Sequence, residues 1–176
     1  MGYETTDKGL IYVGIDVGVS GGVCILHSDS GTPPYTMQCS KTEATPHDMA
    51  EQLLTPLYAL GYPDTHVVYT MVEKVHSMPK QGVASTFKFG KGYGVWIGIL
   101  SALRIPYELT TPRTWMGHYG AMPKDKKDRK NYLKSMAQSL YPEQHITLAT
   151  ADAVLMAHYL CVKGMLGPVK PLHHNE

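Results

Sequence analysis

Three acidic residues lie in apolar surroundings, where an ionised carboxylate is costly. Asp16 lies in the run LIYVGIDVG, Glu73 ends the run HVVYTMVE, and Asp152 lies among small residues in ATADAVLMAHY. A buried carboxylate needs a hydrogen-bond donor, a counter-charge or a metal ion to offset its lost hydration. A single acid of this kind is more often hydrogen-bonded locally or exposed than catalytic. Here two of the acids lie at the ends of strands and the third lies on a helix that can pack closely on them, so the three carboxylates would converge if the two strands are neighbours. These three acids therefore form the candidate site.

Converging carboxylates without His or Cys suit hard cations, which bind through oxygen. Mg²⁺ takes a few carboxylates and completes its coordination with water and phosphate oxygens. Two such ions about 4 Å apart can activate a water and stabilise the leaving oxygen when a phosphodiester is cut. The pattern thus favours Mg²⁺ or Mn²⁺ as the cofactor and a nucleic acid as the substrate.

Charge is divided unevenly along the chain, although the formal net charge is only +1. From Lys74 to Lys134 there are twelve Lys and Arg residues but three acids, which gives that stretch a formal charge of +9. The remainder has four Lys and Arg against twelve acids, or −8. A basic half beside an acidic half indicates one surface that faces a polyanion, although basic runs are also common on solvated faces.

The elements that must position the acids follow a pattern typical of an α/β domain with a mixed sheet. Apolar, β-branched runs predict strands, and apolar residues at helical spacing between Thr, Pro and Gly signals predict helices. At 176 residues without a linker-like segment, the chain fits one domain with its core at about 10–163 and a loose C-terminal tail. The predicted strands are 10–18, 22–28, 35–40, 66–73 and 105–109, and the predicted helices are 45–61, 86–103, 126–140 and 149–162.

Four blocks of the sequence together resemble the RuvC family of Holliday junction resolvases, in particular its phage-encoded and chloroplast-type relatives. The blocks are GIDVGVSGG, VEKVHSMPKQGVASTFKFGKGYGVWIGIL, IPYELTTPRTW and ATADAVLMAHY, and a basic helix precedes the last. The resemblance implies a ribonuclease H-like fold, a mixed five-stranded sheet flanked by helices, and symmetric metal-dependent hydrolysis of four-way DNA junctions by a homodimer. By that resemblance Asp16, Glu73 and Asp152 would be the catalytic residues and would hold two Mg²⁺ or Mn²⁺ ions per active site.

The resemblance also implies a fourth metal ligand, an Asp or His one turn before the last acid, where this chain has Ala149. Positions 149 and 152 would lie on the same face of a helix, so the missing ligand bears on activity. Three explanations are open. The site recruits Glu143 or His145, the nuclease is naturally weakened, or an acid was replaced by alanine so that uncut DNA stays bound. The otherwise intact helix favours the last.

Cations and aromatic residues alternate in the stretch 76–92, which the sequence indicates to be a loop. Lys side chains contact phosphates regardless of sequence, and aromatic rings stack on unpaired bases such as those at a junction centre. The alternative is that both Phe residues belong to the core, and for Phe89 we weigh the two roles equally. The expected DNA contacts are Lys80, Gln81, Ser85, Phe87, Lys88, Phe89 and Lys91, followed by Arg113, Lys124, Lys126, Lys127, Arg129 and Lys130.

The helix that follows carries an apolar stripe formed by Tyr93, Trp96, Ile97 and Leu100. Such a stripe is ordinarily a core face, but apolar residues here cover a wider arc than one sheet face needs. In the RuvC family this helix builds the homodimer, so the stripe is the expected dimer surface. A two-fold dimer would present two identical sites, as symmetric nicking of a junction requires.

Several broad classes are disfavoured by the sequence. Three widely spaced Cys residues without a C-x-x-C pair favour neither a disulfide framework nor a zinc site. The first residues do not resemble a leader, and no apolar run is long enough to span a membrane. We therefore expect an intracellular protein without a membrane partner, in the cytoplasm of a bacterial or phage-infected cell or in an organelle.

Three other functions are compatible with parts of the pattern. A non-cleaving branched-DNA-binding protein of the same fold would bind junctions without cutting them, and Ala149 favours that alternative. An actin-like or sugar-kinase ATPase also has a motif like GIDVG, but it needs a second similar domain, and we expect no nucleotide cofactor here. A simple ribonuclease H would cut the RNA strand of a hybrid as a monomer.

Overall fold

The structure of the chain, a computed structural model, describes residues 8–18, 20–29, 32–39, 44–74 and 82–165. Five strands and five helices lie within these ranges. In chain order they are β1 (Gly9–Ile15), β2 (Gly22–His27), β3 (Tyr35–Gln38), α1 (Pro46–Ala59), β4 (His66–Glu73), α2 (Val83–Ala102), β5 (Tyr107–Thr110), α3 (Pro112–Gly117), α4 (Lys126–Leu140) and α5 (Ala151–Met165).

The strands form one mixed sheet in the order β3-β2-β1-β4-β5. β1 runs antiparallel to β2 and parallel to β4, with Ile15 opposite Val72. β2 runs antiparallel to β3, and β4 runs parallel to β5. The mixed five-stranded sheet predicted from the sequence is therefore confirmed. Because β1 and β4 are parallel neighbours in register, the next residues, Asp16 and Glu73, come to the same edge of the sheet.

Alternate residues of β1 face two different cores, which explains why this strand is apolar throughout. Ile11, Val13 and Ile15 belong to a buried cluster that includes residues of α1 and α2. Tyr12 belongs to a second cluster that includes residues of α4 and α5. Helices thus cover both faces of the sheet.

Gly14 allows α5 to approach β1 closely. A Cβ atom at this position would collide with the backbone oxygen of Ala153 and the backbone nitrogen of Ala157. Only glycine leaves room for a helix backbone at this distance. The first turn of α5, which carries Asp152, is consequently held near the end of β1.

The helix α2 begins earlier than the sequence indicates, because glycines lower helix propensity and make this segment resemble a loop. It begins at Val83, three residues before the predicted start at residue 86, so the predicted helix is confirmed and the loop expected over 76–92 is wrong from Val83 onward. Phe87, Lys88, Phe89 and Lys91 are helical residues. Packing of one face of α2 on the sheet supplies the stability that its glycines do not.

A short helix, α3, was absent from the predicted elements. Thr111 caps it, since the Thr111 side chain accepts a hydrogen bond from the backbone N–H of Thr114, and Pro112 occupies the first helical turn. Both features are typical helix-start signals within TTPRTW, but the helix has only six residues and shows no apolar periodicity. Within the described ranges, no helix has both the length and the apolar character needed to cross a membrane.

Candidate active site

The three acids selected from the sequence line one cavity of about 980 Å³. Asp16 follows β1, Glu73 ends the neighbouring parallel strand β4, and Asp152 lies in the first turn of α5. Asp16 is 8% exposed and Asp152 is 4% exposed, while Glu73 is partly buried. The convergence expected from the sequence is therefore present in the structure.

Asp16 is fixed by the turn that joins β1 to β2. Its Oδ1 accepts a hydrogen bond from the backbone N–H of Gly18 at 3.0 Å, and its own backbone N–H donates to the Gly22 oxygen at 2.9 Å. Gly21 packs so closely on the Asp16 backbone that a Cβ atom there would overlap it. The glycines of GIDVGVSGG thus serve to orient this carboxylate.

Glu73 is held by α3, the helix that the sequence analysis missed. The indole Nε1–H of Trp115 donates a hydrogen bond to Glu73 Oε2 at 3.1 Å, and Trp115 is fully buried. A buried indole needs a partner for its N–H, and a carboxylate accepts that bond strongly. Trp115 is therefore a positioning residue for Glu73. The signal in the sequence was the Trp directly after the capping motif TTPRT.

Asp152 contacts a cation from the basic helix α4. The ammonium of Lys130 lies 2.5 Å from Asp152 Oδ2, whereas Asp152 Oδ1 is buried and has no hydrogen-bond partner among the described residues. The sequence analysis assigned Lys130 to a DNA-facing surface rather than to the acids. Its contact with Asp152 joins α4 to α5 at the centre of the cavity.

Burial and mutual repulsion make this cavity unfavourable for three negative charges. Burial raises the pKa of Asp16, and the nearby Asp152 carboxylate raises it further. Burial, followed by repulsion from Asp16, raises the pKa of Glu73 to about 7. Burial alone would lower the pKa of Lys130, but its contact with Asp152 and its proximity to the other acids raise it. The electrostatics thus favour an added positive charge.

The donor set fits a divalent cation such as Mg²⁺ or Mn²⁺. Three carboxylates supply hard oxygen ligands, and the unpartnered Oδ1 of Asp152 is a buried acceptor that lacks a donor. Among the described residues, no three His, Cys, Asp or Glu side chains lie close enough together to form a preformed metal cluster. Asp16, Glu73 and Asp152 would therefore have to close around the ion when it binds.

The similarity of this chain to known proteins lies in its structure rather than in its sequence. No family model matches the sequence, and no curated protein matches it significantly. Thermus thermophilus RuvC in complex with a Holliday junction substrate is similar, with a TM-score of 0.58 and 14% identity over 92% of this chain and 99% of that chain. Another structure of Thermus thermophilus RuvC gives a TM-score of 0.52 and 16% identity over the same shares. This chain has a RuvC-like, ribonuclease H-type fold.

The fourth ligand expected from the sequence resemblance has no substitute among the described residues that line the cavity. Ala149 lies in the turn before α5, where its backbone N–H donates to Thr147 Oγ1 at 3.2 Å. Glu143 lines a different cavity, of about 680 Å³, and His145 is exposed and lines neither cavity. The expectation that either residue replaces the missing ligand is not supported by their positions.

Several of the expected DNA-contacting residues surround the acids of this cavity. Arg113, Lys126, Arg129 and Lys130 line the cavity. Phe89 also lines it while packing on the core cluster beneath α2, so its core role is confirmed and its contact with DNA stays a prediction. Lys124 and Lys127 are exposed outside the cavity, as are Phe87, Lys88 and Lys91 on α2. Lys80, Gln81 and the side chain of Ser85 lie outside the described residues.

The apolar stripe expected to form the dimer surface packs inside the protein instead. Trp96 is 2% exposed and Leu100 is fully buried, both in the cluster between α2 and the sheet. Tyr93 and Ile97 are partly buried against the same cluster. The expectation is wrong for Trp96 and Leu100, because a helix that covers one face of a sheet buries its largest apolar side chains against that sheet first.

The raised pKa of Glu73 predicts that Glu73→Gln stabilises the metal-free protein at alkaline pH. The folded pKa of about 7 exceeds the ordinary 4.5, so the cost of the ionised carboxylate is absent below pH 4.5 and complete above pH 7. For a partly buried group we expect a gain of about 1–3 kcal/mol at pH 8 and little gain at pH 4.5. Urea unfolding in EDTA at both pH values measures it. An equal gain in the free energy of unfolding at both pH values would contradict the electrostatic explanation. Glu108→Gln, outside the cavity, is the control.

Proposed function

We propose that this chain is a metal-dependent endonuclease that cuts four-way DNA junctions. The observation that carries the proposal is the convergence of Asp16, Glu73 and Asp152 in one cavity with four cationic side chains in its lining. Carboxylates and cations in one cavity suit a phosphodiester, whose negative charge needs the cations while its cleavage needs a carboxylate-bound metal. The RuvC-like fold supports the choice of a branched DNA substrate over a linear one.

The side chains that line the cavity would have separate roles in DNA binding and in metal binding. Arg113, Lys126 and Arg129 would bind the DNA backbone on either side of the cleaved bond, because cations contact phosphates without regard to sequence. Asp16, Glu73 and Asp152 would hold the divalent cation. When bound, that cation activates a water and stabilises the leaving oxygen. Trp115 and Lys130 keep Glu73 and Asp152 in place through the contacts described above.

A cleavage assay on a synthetic four-way junction tests this function. We expect paired nicks at symmetric positions with Mg²⁺ or Mn²⁺, no nicks in EDTA, and no cleavage of a linear duplex that contains the same arm sequences. Binding is measured separately by mobility shift at fixed salt, because phosphate contacts weaken steeply as salt rises. A junction that is bound but uncut under all conditions would contradict the nuclease proposal.

A non-cleaving branched-DNA-binding protein is the second candidate. Ala149 lacks a ligating atom, and Lys130 already occupies one oxygen of Asp152. If the chain binds the junction without cutting it, and Ala149→Asp does not introduce cleavage, this second candidate replaces the first. Cleavage by the unmodified chain excludes it.

We also propose that the chain acts as a homodimer through the exposed face of α2 rather than through the stripe that the sequence favoured. Gly90, Gly94 and Gly98 are spaced four residues apart on exposed positions, with open space around each. Val83 and Phe87 extend the same stripe and are 88% and 72% exposed. Glycines permit close helix approach, and exposed apolar residues benefit from being covered. A two-fold pair of α2 helices satisfies both features.

Gly94→Arg should convert the dimer to a monomer, because a long charged side chain at the centre of this face prevents the helices from approaching. Sedimentation velocity at micromolar concentration measures the change. Tyr58→Arg, an exposed position on α1, is the matched control and should leave the dimer intact. A monomeric parent protein, or a Gly94→Arg variant that remains dimeric, would contradict this interface.

A further inference from the structure

Each of the three carboxylates has one oxygen engaged by a protein donor. Asp16 Oδ1 accepts from the Gly18 backbone at 3.0 Å, Glu73 Oε2 accepts from Trp115 at 3.1 Å, and Asp152 Oδ2 lies 2.5 Å from the Lys130 ammonium. Within the described ranges, no further hydrogen-bond donor reaches the other oxygen of any of them. Three carboxylate oxygens, one from each residue, therefore have no protein donor and are the ones most available to a cation.

Three oxygens match the needs of one cation better than those of two. Mg²⁺ commonly takes only a few protein ligands and keeps the remaining positions for water and substrate phosphate. Two ions sharing a site would need either more carboxylates or both oxygens of those present. The oxygen of Asp152 that would be needed already binds Lys130, and Ala149 offers no ligand.

The charge of the cavity also indicates one divalent cation rather than two. Asp16, Glu73 and Asp152 bring three negative charges, and Lys130 brings one positive charge that also acts on Asp16 and Glu73. One divalent cation neutralises the remainder. A second would leave an excess of positive charge in a partly buried cavity that is also lined by Arg113 and Arg129, and repulsion is strong where water is scarce.

We propose that this cavity binds one divalent cation per chain, with the Lys130 ammonium as the fixed positive charge where a second cation would otherwise bind. This inference rests on the proposed metal dependence and replaces the two ions expected from the sequence. Lys130 is suited to the role because α4 holds its ammonium against the buried Asp152 carboxylate.

Mn²⁺ binding to the full chain without DNA tests the proposal directly. Isothermal titration and the loss of the free Mn²⁺ spin-resonance signal should both give one ion per chain. Lys130→Met removes the ammonium and frees Asp152 Oδ2, so we expect two ions per chain for that variant. Lys134→Met, one turn further along α4, is the matched control and should keep one ion. Circular dichroism and thermal unfolding confirm that each variant is folded before it is titrated.

The outcomes separate this inference from the proposed function. Two Mn²⁺ ions on the unmodified chain, or one on folded Lys130→Met, would overturn the inference while leaving junction cleavage intact. One ion on the unmodified chain and two on Lys130→Met would support it, even if the junction assay shows no cleavage and the nuclease proposal fails. No Mn²⁺ binding at all would overturn both.

Discussion

Asp16→Asn should lower the rate of junction cleavage by about a thousandfold or more, while the affinity for the junction stays within about threefold. The amide keeps the shape of the side chain but removes a negative charge and a strong metal ligand, a loss of several kcal/mol of transition-state stabilisation. The glycine turn holds this carboxylate, since the Gly18 backbone donates to Asp16 Oδ1 and Gly21 packs against the Asp16 backbone. Binding persists because the cations that line the cavity are unchanged.

Single-turnover nicking rates with saturating protein separate this chemical effect from binding. Glu108→Gln, an acid-to-amide change in an ion pair with Lys163 outside the cavity, is the matched control and should cut like the parent. If the Asp16→Asn variant cuts as fast as the parent, the proposed role of the acids in cleavage is wrong. A variant that neither cuts nor binds would point to misfolding, which circular dichroism would reveal.

Gly14→Val should destabilise the protein by about 3 kcal/mol or more. Its side chain would have to occupy the space of backbone atoms at Ala153 and Ala157. Backbone atoms cannot rotate aside as a flexible side chain can, so α5 would have to move away from β1. Because α5 carries Asp152, cleavage should fall as well, even in the fraction that remains folded.

Urea unfolding monitored by circular dichroism measures this effect. Gly14→Ala should give a smaller loss in the same direction, since it adds one methyl group at the same contact. Gly117→Ala, at the end of α3 with open space around its Cβ position, should change the stability by less than about 1 kcal/mol. If Gly14→Val unfolds at the same urea concentration as the parent, the close contact between β1 and α5 is wrong.

The sequence located the three acids because a charged residue within an apolar run can be recognised without any tertiary information. The order of strands and helices followed from hydrophobic periodicity, and the mixed sheet that it predicted is present. The parallel pairing of β1 with β4 then places Asp16 beside Glu73. The boundaries of α2 and the existence of α3 were not predictable in the same way, because glycines weaken the first signal and six residues are too few for the second.

The contacts that hold the acids were decided by the tertiary structure. Trp115 and Glu73 are 42 residues apart in sequence, and Lys130 and Asp152 are 22 apart. A local sequence pattern does not predict which cationic or indole side chain contacts a given carboxylate. That contact depends on how α3, α4 and α5 pack against the sheet. These contacts also carry our proposal that the cavity binds a single cation.

The helix α2 also shows which features the sequence determines and which depend on tertiary packing. The sequence determined that this helix is apolar over a wide arc, but periodicity alone does not say which side meets the sheet. Packing decided it, because Trp96 and Leu100 fill the space above β1 and β4 while Gly90, Gly94 and Gly98 are left outside. The candidate acids and the fold class could thus be predicted from the sequence. Their partners and the exposed surface depended on long-range packing, which no local pattern encodes.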